Sequence, residues 1–137
     1  MMITDAQVHI WAPETPEKPY AKSEASQPHR SIPLVHDELL TEMDGAGVQR
    51  CVLVPPTWEA DRNDTSLEAA RLHPDRFAVM GRIKISAPES RTLISTWKHQ
   101  PHMLGIRMVS NHGRSREWLA TAPQIGFGMP QNSTIYL

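Results

Sequence analysis

The sequence predicts an α/β fold in which parallel strands alternate with helices. Three short apolar segments begin near residues 50, 77 and 104, at equal intervals of 27 residues, and a helical pattern lies in each interval. Successive βα units, whose crossovers are right-handed, produce an even strand–helix period of this kind. Together with a strand at the N-terminus, we expect four such units.

The first strand is predicted over residues 3–11, where the side chains alternate in character. Successive residues of a strand point to opposite faces, so Asp5, Gln7 and His9 are expected to share one face, while the other face is mostly small or apolar. In α/β barrels the chemistry lies at the carboxyl ends of the parallel strands. The polar face therefore indicates a candidate site near His9.

A helix is predicted between the first two strands. The proline-rich segment before it, residues 12–32, is expected to be a long loop. Leu39, Met43 and Ala46 then follow one another at the i, i+4, i+7 spacing of one helix face. Gly47 stands where a C-terminal cap belongs, so we expect the helix to end there.

The next unit begins with residues 50–54, which are almost continuously apolar and predict a strand buried on both faces, as in parallel sheets. Thr65 and Glu68 have the spacing of a capping box, which predicts a helix that runs to about His73. Residues 77–83 are the third predicted strand.

The last complete unit begins with a second capping-box pattern, Ser86 and Glu89. Its helix is expected to turn three residues inward, namely Leu93, Ile94 and Trp97. Residues 104–109 are the fourth predicted strand, and residues 115–119 look like the start of a further helix.

The composition limits the kind of protein. The 137 residues suffice for one domain, and a net charge of −1 with a pI of about 6.6 gives no attraction to nucleic acid or to an anionic membrane. No apolar run approaches the roughly 20 residues that cross a bilayer, and no secretory signal is visible. The single cysteine, Cys51, excludes an internal disulfide and fits a reducing compartment. We expect a cytoplasmic protein.

The C-terminal segment departs from the repeat. Residues 120–137 contain no Asp, Glu, Lys or Arg, although charged residues make up 21% of the chain, and they contain two glycines and two prolines. Such a segment does not suit the helix that the repeat requires. We expect a divergent tail that arose by truncation or frame shift; the alternative is a short strand-like or disordered extension.

Several segments, taken in order, carry a resemblance to a known family: DAQVHIW (5–11), LLxEMDxAGV (39–48), VLVPP (52–56), RND (62–64), HPDRF (73–77) and GIR (105–107). They resemble the first half of the amidohydrolase-related family, in its amidohydrolase 2 branch, which contains metal-dependent hydrolases, lactonases and decarboxylases. The resemblance covers about residues 3 to 119 and implies a TIM-type (β/α)8 barrel. Such a barrel takes about 250 residues, so four of its eight units are present, as a half-barrel or a truncated barrel. Residues 1–119 would form that half.

The resemblance also implies a metal site. Members of the family end their first strand in a His-x-His pair that binds a divalent ion, here expected to be Zn²⁺, which lowers the pKa of a bound water. His9 matches the second histidine of this pair, and Gln7 stands at the first position. An amide oxygen is a poorer zinc ligand than imidazole, so Gln7 weakens or removes the site, and hydrolysis without metal stays open. The family's later ligands and catalytic aspartate belong to strands of the second half.

Other residues are candidates for substrate binding. Arg107, at the end of the fourth strand, has a guanidinium that can hold a substrate carboxylate with two hydrogen bonds; the alternative is an ion pair with a neighbouring loop. Trp11, Trp58 and Arg62 follow the first two strands and are expected to line a pocket. The alternative for the tryptophans is that they cap the mouth of the barrel.

The remaining reactive residues have ordinary interpretations. Five histidines are expected to be solvated or structural: His29, His36, His99, His102 and His112. Cys51 opens a buried strand and is expected to be inert. Gly81 and Gly105 suggest close backbone packing, and no phosphate-binding loop follows the first strand, which disfavours a flavodoxin-like binding module.

Two functions of different classes remain. In the first, the protein is a hydrolase that uses activated water against a lactone, ester or amide of a small carboxylated molecule. In the second, it is a non-catalytic half-barrel whose first and fourth strands are open edges. Open edges are usually paired or covered, so such a chain would form a homodimer or pair with another chain.

Overall fold

A computed structural model of the chain describes residues 1–21, 27–84 and 87–108. The strands are β1 (Thr4–Val8), β2 (Arg50–Leu53), β3 (Phe77–Gly81) and β4 (Met103–Ile106), and the helices are α1 (His36–Ala46), α2 (Asp64–Leu72) and α3 (Ser90–Thr96). Short 3-10 turns lie at Thr57–Glu59 and Trp97–His99.

The four strands form one sheet in the order β1-β2-β3-β4, and every neighbouring pair is parallel. The α/β architecture with alternating parallel strands and helices is therefore confirmed. Consecutive strands that lie side by side in chain order are the arrangement of a (β/α) barrel or of a part of one.

The core lies between the sheet and the helices. Alternate residues of β2 and β3 point to the same face, which brings Cys51, Leu53, Phe77 and Val79 together. Ten buried side chains make up this core: Ile10, Leu39, Met43, Cys51, Leu53, Ala69, Ala70, Phe77, Val79 and Met103. The opposite face of β2 and β3 is half-buried, so the prediction of a second strand buried on both faces is only partly right.

The alternation predicted for the first strand is wrong in its middle. Asp5 pairs with Cys51, whereas Val8 pairs with Leu53, so three steps along β1 match two steps along β2. This extra residue is a β-bulge, which shifts the side-chain alternation by one. Asp5 and Val8 therefore lie on the same face, and Asp5 and His9 do not.

The first helix agrees with its prediction. Leu39 and Met43 are buried, and Gly47 caps the helix with φ 71° while its N–H donates to the carbonyl of Asp44. A left-handed residue at this position favours glycine. Ala46, however, is exposed and does not join the core.

The capping box predicted for α2 is wrong. The helix begins at Asp64, and its N-cap residue Asn63 makes no capping hydrogen bond from its side chain. The Thr65 hydroxyl donates to Glu59 instead, and Glu68 pairs with Arg71.

The third helix also differs from its prediction. Glu89 is the N-cap residue of α3 and makes no side-chain capping bond, and Ser86 lies outside the described residues. Leu93 is 47% exposed rather than turned inward. Trp97 does pack against the core, and its Nε1 donates to the carbonyl of Gly105 over 2.9 Å.

Both strand glycines allow close packing, as predicted. A Cβ atom on Gly81 would lie 2.8–2.9 Å from atoms of Met103, Trp97 and Asn63. One on Gly105 would lie 3.0 Å from the sulfur of Met80.

Some expectations lie outside the described residues: the end of the fourth strand at residue 109, His112, the helix start at 115–119 and the tail at 120–137. Within the described ranges, no helix has the length and apolar character needed to cross a membrane.

Candidate functional site

Three strands are each followed directly by a polar residue at the same edge of the sheet. His9 comes after the last residue of β1, Arg82 after the last residue of β3, and Arg107 after the last residue of β4. The positive charges of both arginines lower the pKa of His9, so the three side chains are close enough to interact. The sequence predicted His9 and Arg107 at this edge, and the structure brings them together.

His9 is held in one orientation by a hydrogen bond to the main chain of Val54. Its Nδ1 lies 2.6 Å from the carbonyl oxygen of Val54. Because a carbonyl oxygen only accepts hydrogen bonds, Nδ1 carries the proton and Nε2 keeps its lone pair. Burial is the main cause that lowers the pKa of His9 from 6.5; the bond to Val54 opposes it, and Arg107 and Arg82 lower it further. At neutral pH the ring is therefore neutral, with a basic nitrogen available.

An aromatic cluster of His9, Trp11, His29 and Trp58 surrounds this imidazole. The two tryptophan rings meet edge to face at 5.2 Å, and His29 lies 5.6 Å from Trp11 and 6.1 Å from Trp58. His9 meets Trp58 at 6.2 Å. Trp11 and Trp58 are 1% and 6% exposed, so they are packed side chains as well as neighbours of the site.

Two buried donors at this site have no hydrogen-bond partner within the described part of the chain. They are Nε1 of Trp58 and Nη1 of Arg82. A buried donor without a partner costs about 1–3 kcal/mol, and more when it is charged. An anionic oxygen from a ligand would satisfy these donors.

Arg82 is positioned by the segment before α2. The Asn63 side chain accepts a hydrogen bond from the Arg82 N–H at 2.7 Å and donates one to the Arg82 carbonyl at 2.9 Å. Nε of Arg82 donates to the carbonyl of Ala60 at 3.0 Å. The backbone and one side of the guanidinium are thus fixed, while Nη1 is left for another partner.

Glu59 is a buried carboxyl group next to the aromatic cluster. It is 3% exposed and accepts hydrogen bonds from the Ala12 N–H at 3.1 Å and the Thr65 hydroxyl at 3.3 Å. Burial raises its pKa, and these two hydrogen bonds oppose the rise. Glu59 joins the loop after β1 to the start of α2.

The other predicted site residues lie in different surroundings. Gln7 is exposed in β1. Arg62 donates from Nη1 to the carbonyl of Pro19 at 2.9 Å, which ties down the proline-rich loop, and its charge acts on Glu59. Among the described residues, His9 belongs to no group of three or more potential metal ligands, so metal binding there stays a prediction.

Sequence reasoning missed Arg82, His29 and Glu59 as members of this site. Arg82 was placed inside a strand predicted to reach residue 83, whereas β3 ends at Gly81. His29 comes from the proline-rich loop, whose path the sequence does not define. Glu59 lay in a segment interpreted as an ordinary polar loop.

Comparison with solved structures finds the same fold in larger proteins. One is a probable 2-pyrone-4,6-dicarboxylic acid hydrolase from Acinetobacter baumannii with citric acid bound; it is 16% identical with a TM-score of 0.63, over 88% of this chain and 45% of that chain. Another, from Agrobacterium tumefaciens in its apo form, is 14% identical with a TM-score of 0.54, over 79% of this chain and 37% of that chain. This chain thus spans less than half the length of either protein.

The sequence alone gives no such match. No protein-family model matches it, and a search of curated proteins finds no significant similarity. At the identities of the two solved structures the likeness is one of fold. The chain therefore has the fold of part of a larger α/β protein, one example of which is described as a probable hydrolase.

Proposed function

We propose that this chain is a hydrolase of the amidohydrolase-related type, which uses activated water against a lactone, ester or amide of a small carboxylated molecule. One observation carries the proposal: a neutral imidazole, His9, shares the carboxyl edge of a parallel sheet with Arg82 and Arg107, whose charges lower its pKa. This edge is where α/β barrels hold their substrates.

Arg82 and Arg107 would bind the carboxylate of the substrate. Guanidinium groups match carboxylates with paired hydrogen bonds, and such bonds are stronger where water is excluded. Nη1 of Arg82 is buried and has no hydrogen-bond partner within the described residues. The same is true of Nε1 of Trp58. The A. baumannii protein of similar fold has citric acid bound, a molecule that carries carboxyl groups.

His9 would act as the base that activates water. Its Nε2 has a free lone pair, because Nδ1 is committed to Val54. A group whose pKa lies below 6.5 is deprotonated at neutral pH and can accept a proton from water as the water attacks the carbonyl carbon. The Arg107 and Arg82 charges would also favour the negative charge that develops on the substrate.

A metal centre does not fit the described residues. A catalytic zinc needs three protein ligands, and the described part of this edge offers one, Nε2 of His9, with the exposed Gln7 as a poor second. The proposed reaction therefore uses no metal ion at this edge.

Hydrolysis by the full chain tests this proposal. A lactone that carries a carboxylate is incubated with the chain from pH 5 to 9, and the released acid is measured. We expect a rate above that of buffer, which falls at low pH as His9 is protonated and is lost in His9→Asn. Asparagine can place an amide near the Nδ1 position and keep the bond to Val54, so the variant removes Nε2 selectively. No rate above buffer, or full activity in His9→Asn, would contradict the proposal.

A second candidate function is a non-catalytic half-barrel that pairs with another copy of itself. Thr4 to Gln7 of β1 are exposed at the edge of the sheet, and within the described residues β1 and β4 each have a strand on one side only. Exposed edges of this kind favour association. A native mass of two chains would support this function, and a monomeric mass would contradict it.

A further inference from the structure

We propose that His36, Asp37 and His73 form a binding site for a divalent transition-metal ion, with Zn²⁺ as the best-fitting ion. The three residues lie where α1 begins and α2 has just ended, and none of them belongs to the candidate active site described above. It does not depend on the proposed hydrolase function.

The three side chains already lie near metal-binding distances. Their ligand atoms are all within 4.8 Å of one another. Nε2 of His36 and Oδ1 of Asp37 are 3.5 Å apart, and the two imidazole rings are 5.4 Å apart between centroids. A tetrahedral ion with bonds of about 2.0–2.2 Å holds its ligand atoms about 3.3–3.6 Å apart. The distance between His36 and Asp37 therefore needs no change, and the gap to His73 needs to close by little more than an ångström.

His73 is held in place, so the remaining closure comes from Asp37 and His36 moving toward it. The side chain of Asp37 is 81% exposed and can change rotamer, while that of His36 is 29% exposed. The ring of His73 is held edge to face against Phe77 at 5.8 Å. The backbone of His73 is fixed as well, because its carbonyl accepts hydrogen bonds from the N–H groups of Arg76 and Phe77 at 3.0 Å each.

The negative charge offered to a cation here comes mainly from Asp37, because Glu38 is paired with Arg30 and Glu68 with Arg71. Asp37 and Glu38 lie in the first turn of α1, where they offset the positive end of that helix. His73 follows the last residue of α2, where a helix end carries partial negative charge. Glu68 is also near: hydrogen bonds from Arg71 lower its pKa most, and His36 lowers it further.

The donor set selects the class of ion. Two imidazoles and one carboxylate suit Zn²⁺ and its neighbours in the first transition row rather than Ca²⁺ or Mg²⁺, which prefer sets of oxygen ligands. Three protein ligands leave one coordination position for water. A bound ion would link the start of α1 to the α2–β3 connection.

Equilibrium dialysis of the full chain against Zn²⁺, together with the visible absorption of Co²⁺ as a geometry probe, tests the site. We expect one ion per chain and a tetrahedral Co²⁺ spectrum. His36→Gln should weaken binding by more than the roughly 10–100-fold that loss of a supporting outer-shell contact costs. Asp37→Asn, an exposed change that leaves the fold intact, should weaken it as well.

Matched controls separate this site from other histidines. His99→Gln removes an exposed imidazole, Glu42→Gln removes an exposed carboxylate one turn further along α1, and His9→Asn alters the candidate active site; all three should bind Zn²⁺ like the parent chain. Absence of stoichiometric binding by the parent chain would overturn the proposal. So would binding that is unchanged in both His36→Gln and Asp37→Asn, or that is lost in His9→Asn.

Discussion

The ring of His9 is tied to the main chain of Val54 by a hydrogen bond of 2.6 Å between Nδ1 and the carbonyl oxygen. This contact joins the ends of β1 and β2 and decides which nitrogen of the imidazole is free. Because burial also lowers the pKa of the ring, the same side chain is both oriented and kept neutral. Orientation and a lowered pKa are what a general base at neutral pH requires.

The titration of His9 should make the protein less stable at mildly acidic pH. Its pKa is below 6.5 in the folded state, so as pH falls through 6.5 the unfolded chain takes up a proton that the folded chain does not. The free energy of unfolding should therefore decrease as pH falls from 7.5 to 5.5. Urea unfolding at both pH values measures it, and the decrease should be smaller in His9→Asn than in the parent chain or in His99→Gln. An equal decrease in all three would contradict this assignment.

Two replacements of the buried residue Glu59, by Gln and by Ala, should change the free energy of unfolding differently. Glu59→Gln keeps an oxygen that can accept from Ala12 and Thr65 but removes a charge that burial disfavours, so it should be at least as stable as the parent at pH 7. Glu59→Ala leaves the Ala12 N–H without its acceptor and should cost about 1–3 kcal/mol.

The pH dependence provides the control for this pair of variants. Because the pKa of Glu59 is raised above 4.5, the folded chain holds a proton that the unfolded chain has lost, and stability from this group decreases as pH rises above 4.5. That decrease should be absent in Glu59→Gln. A large loss of stability in Glu59→Gln at pH 7 would show that the charge itself is needed.

Gly81 should not tolerate a methyl group. A Cβ atom there would lie 2.8–2.9 Å from Met103, Trp97 and Asn63, so Gly81→Ala should lower the free energy of unfolding by about 1–3 kcal/mol. Gly45→Ala is the matched control: nothing lies within 4 Å of its Cβ position, and it is inside α1, so it should raise stability by up to about 1 kcal/mol. Chemical denaturation of both variants gives the comparison, and similar values for the two would contradict the packing argument.

Cys51 should be unreactive while the protein is folded. The thiol is 2% exposed, and burial raises its pKa to about 12, with Asp5 as a second cause. Reaction needs the thiolate, so a disulfide reagent at pH 8 should modify the chain slowly under native conditions and rapidly in denaturant. Equal rates in both conditions would mean that this strand opens readily.

Several features of the fold follow from local sequence signals. The strand–helix period, the glycine cap at Gly47 and the close packing at Gly81 each depend on one residue type or on one spacing, and each is confirmed. The place of His9 near the carboxyl edge was also predicted, although β1 ends at Val8 and not at residue 11 as predicted.

The features that the sequence could not predict depend on tertiary contacts. The bulge between Asp5 and Val8 arises from the register with β2, and it changes which face of β1 each residue occupies. The capping box predicted for α2 does not form because the Thr65 hydroxyl donates to the buried carboxyl group of Glu59. This acceptor competes with the backbone of α2 for the Thr65 side chain. Such competition is invisible until the partner's position is known.

Arg82 is a site residue that the sequence could not predict, for a similar reason. Whether it is an interior strand residue or an edge residue depends on where β3 ends, and an error of two residues in that boundary hid a member of the site. The Asn63 side chain, 19 residues earlier in the chain, holds its backbone. His29 likewise reaches Trp11 and Trp58 by a loop path that its own sequence does not define.

Calorimetric titration of the full chain with citrate tests the central claim most directly, namely that the carboxyl edge of the sheet binds a carboxylate through Arg82. We predict one saturable site in the parent chain and an affinity lower by about 10- to 100-fold in Arg82→Lys, which loses the second donor of the guanidinium, since charge-assisted hydrogen bonds contribute about 1.5–3 kcal/mol. Arg71→Lys, at an exposed guanidinium on α2, should bind citrate like the parent. Absence of saturable binding in the parent chain, or equal affinity in Arg82→Lys, would contradict the claim.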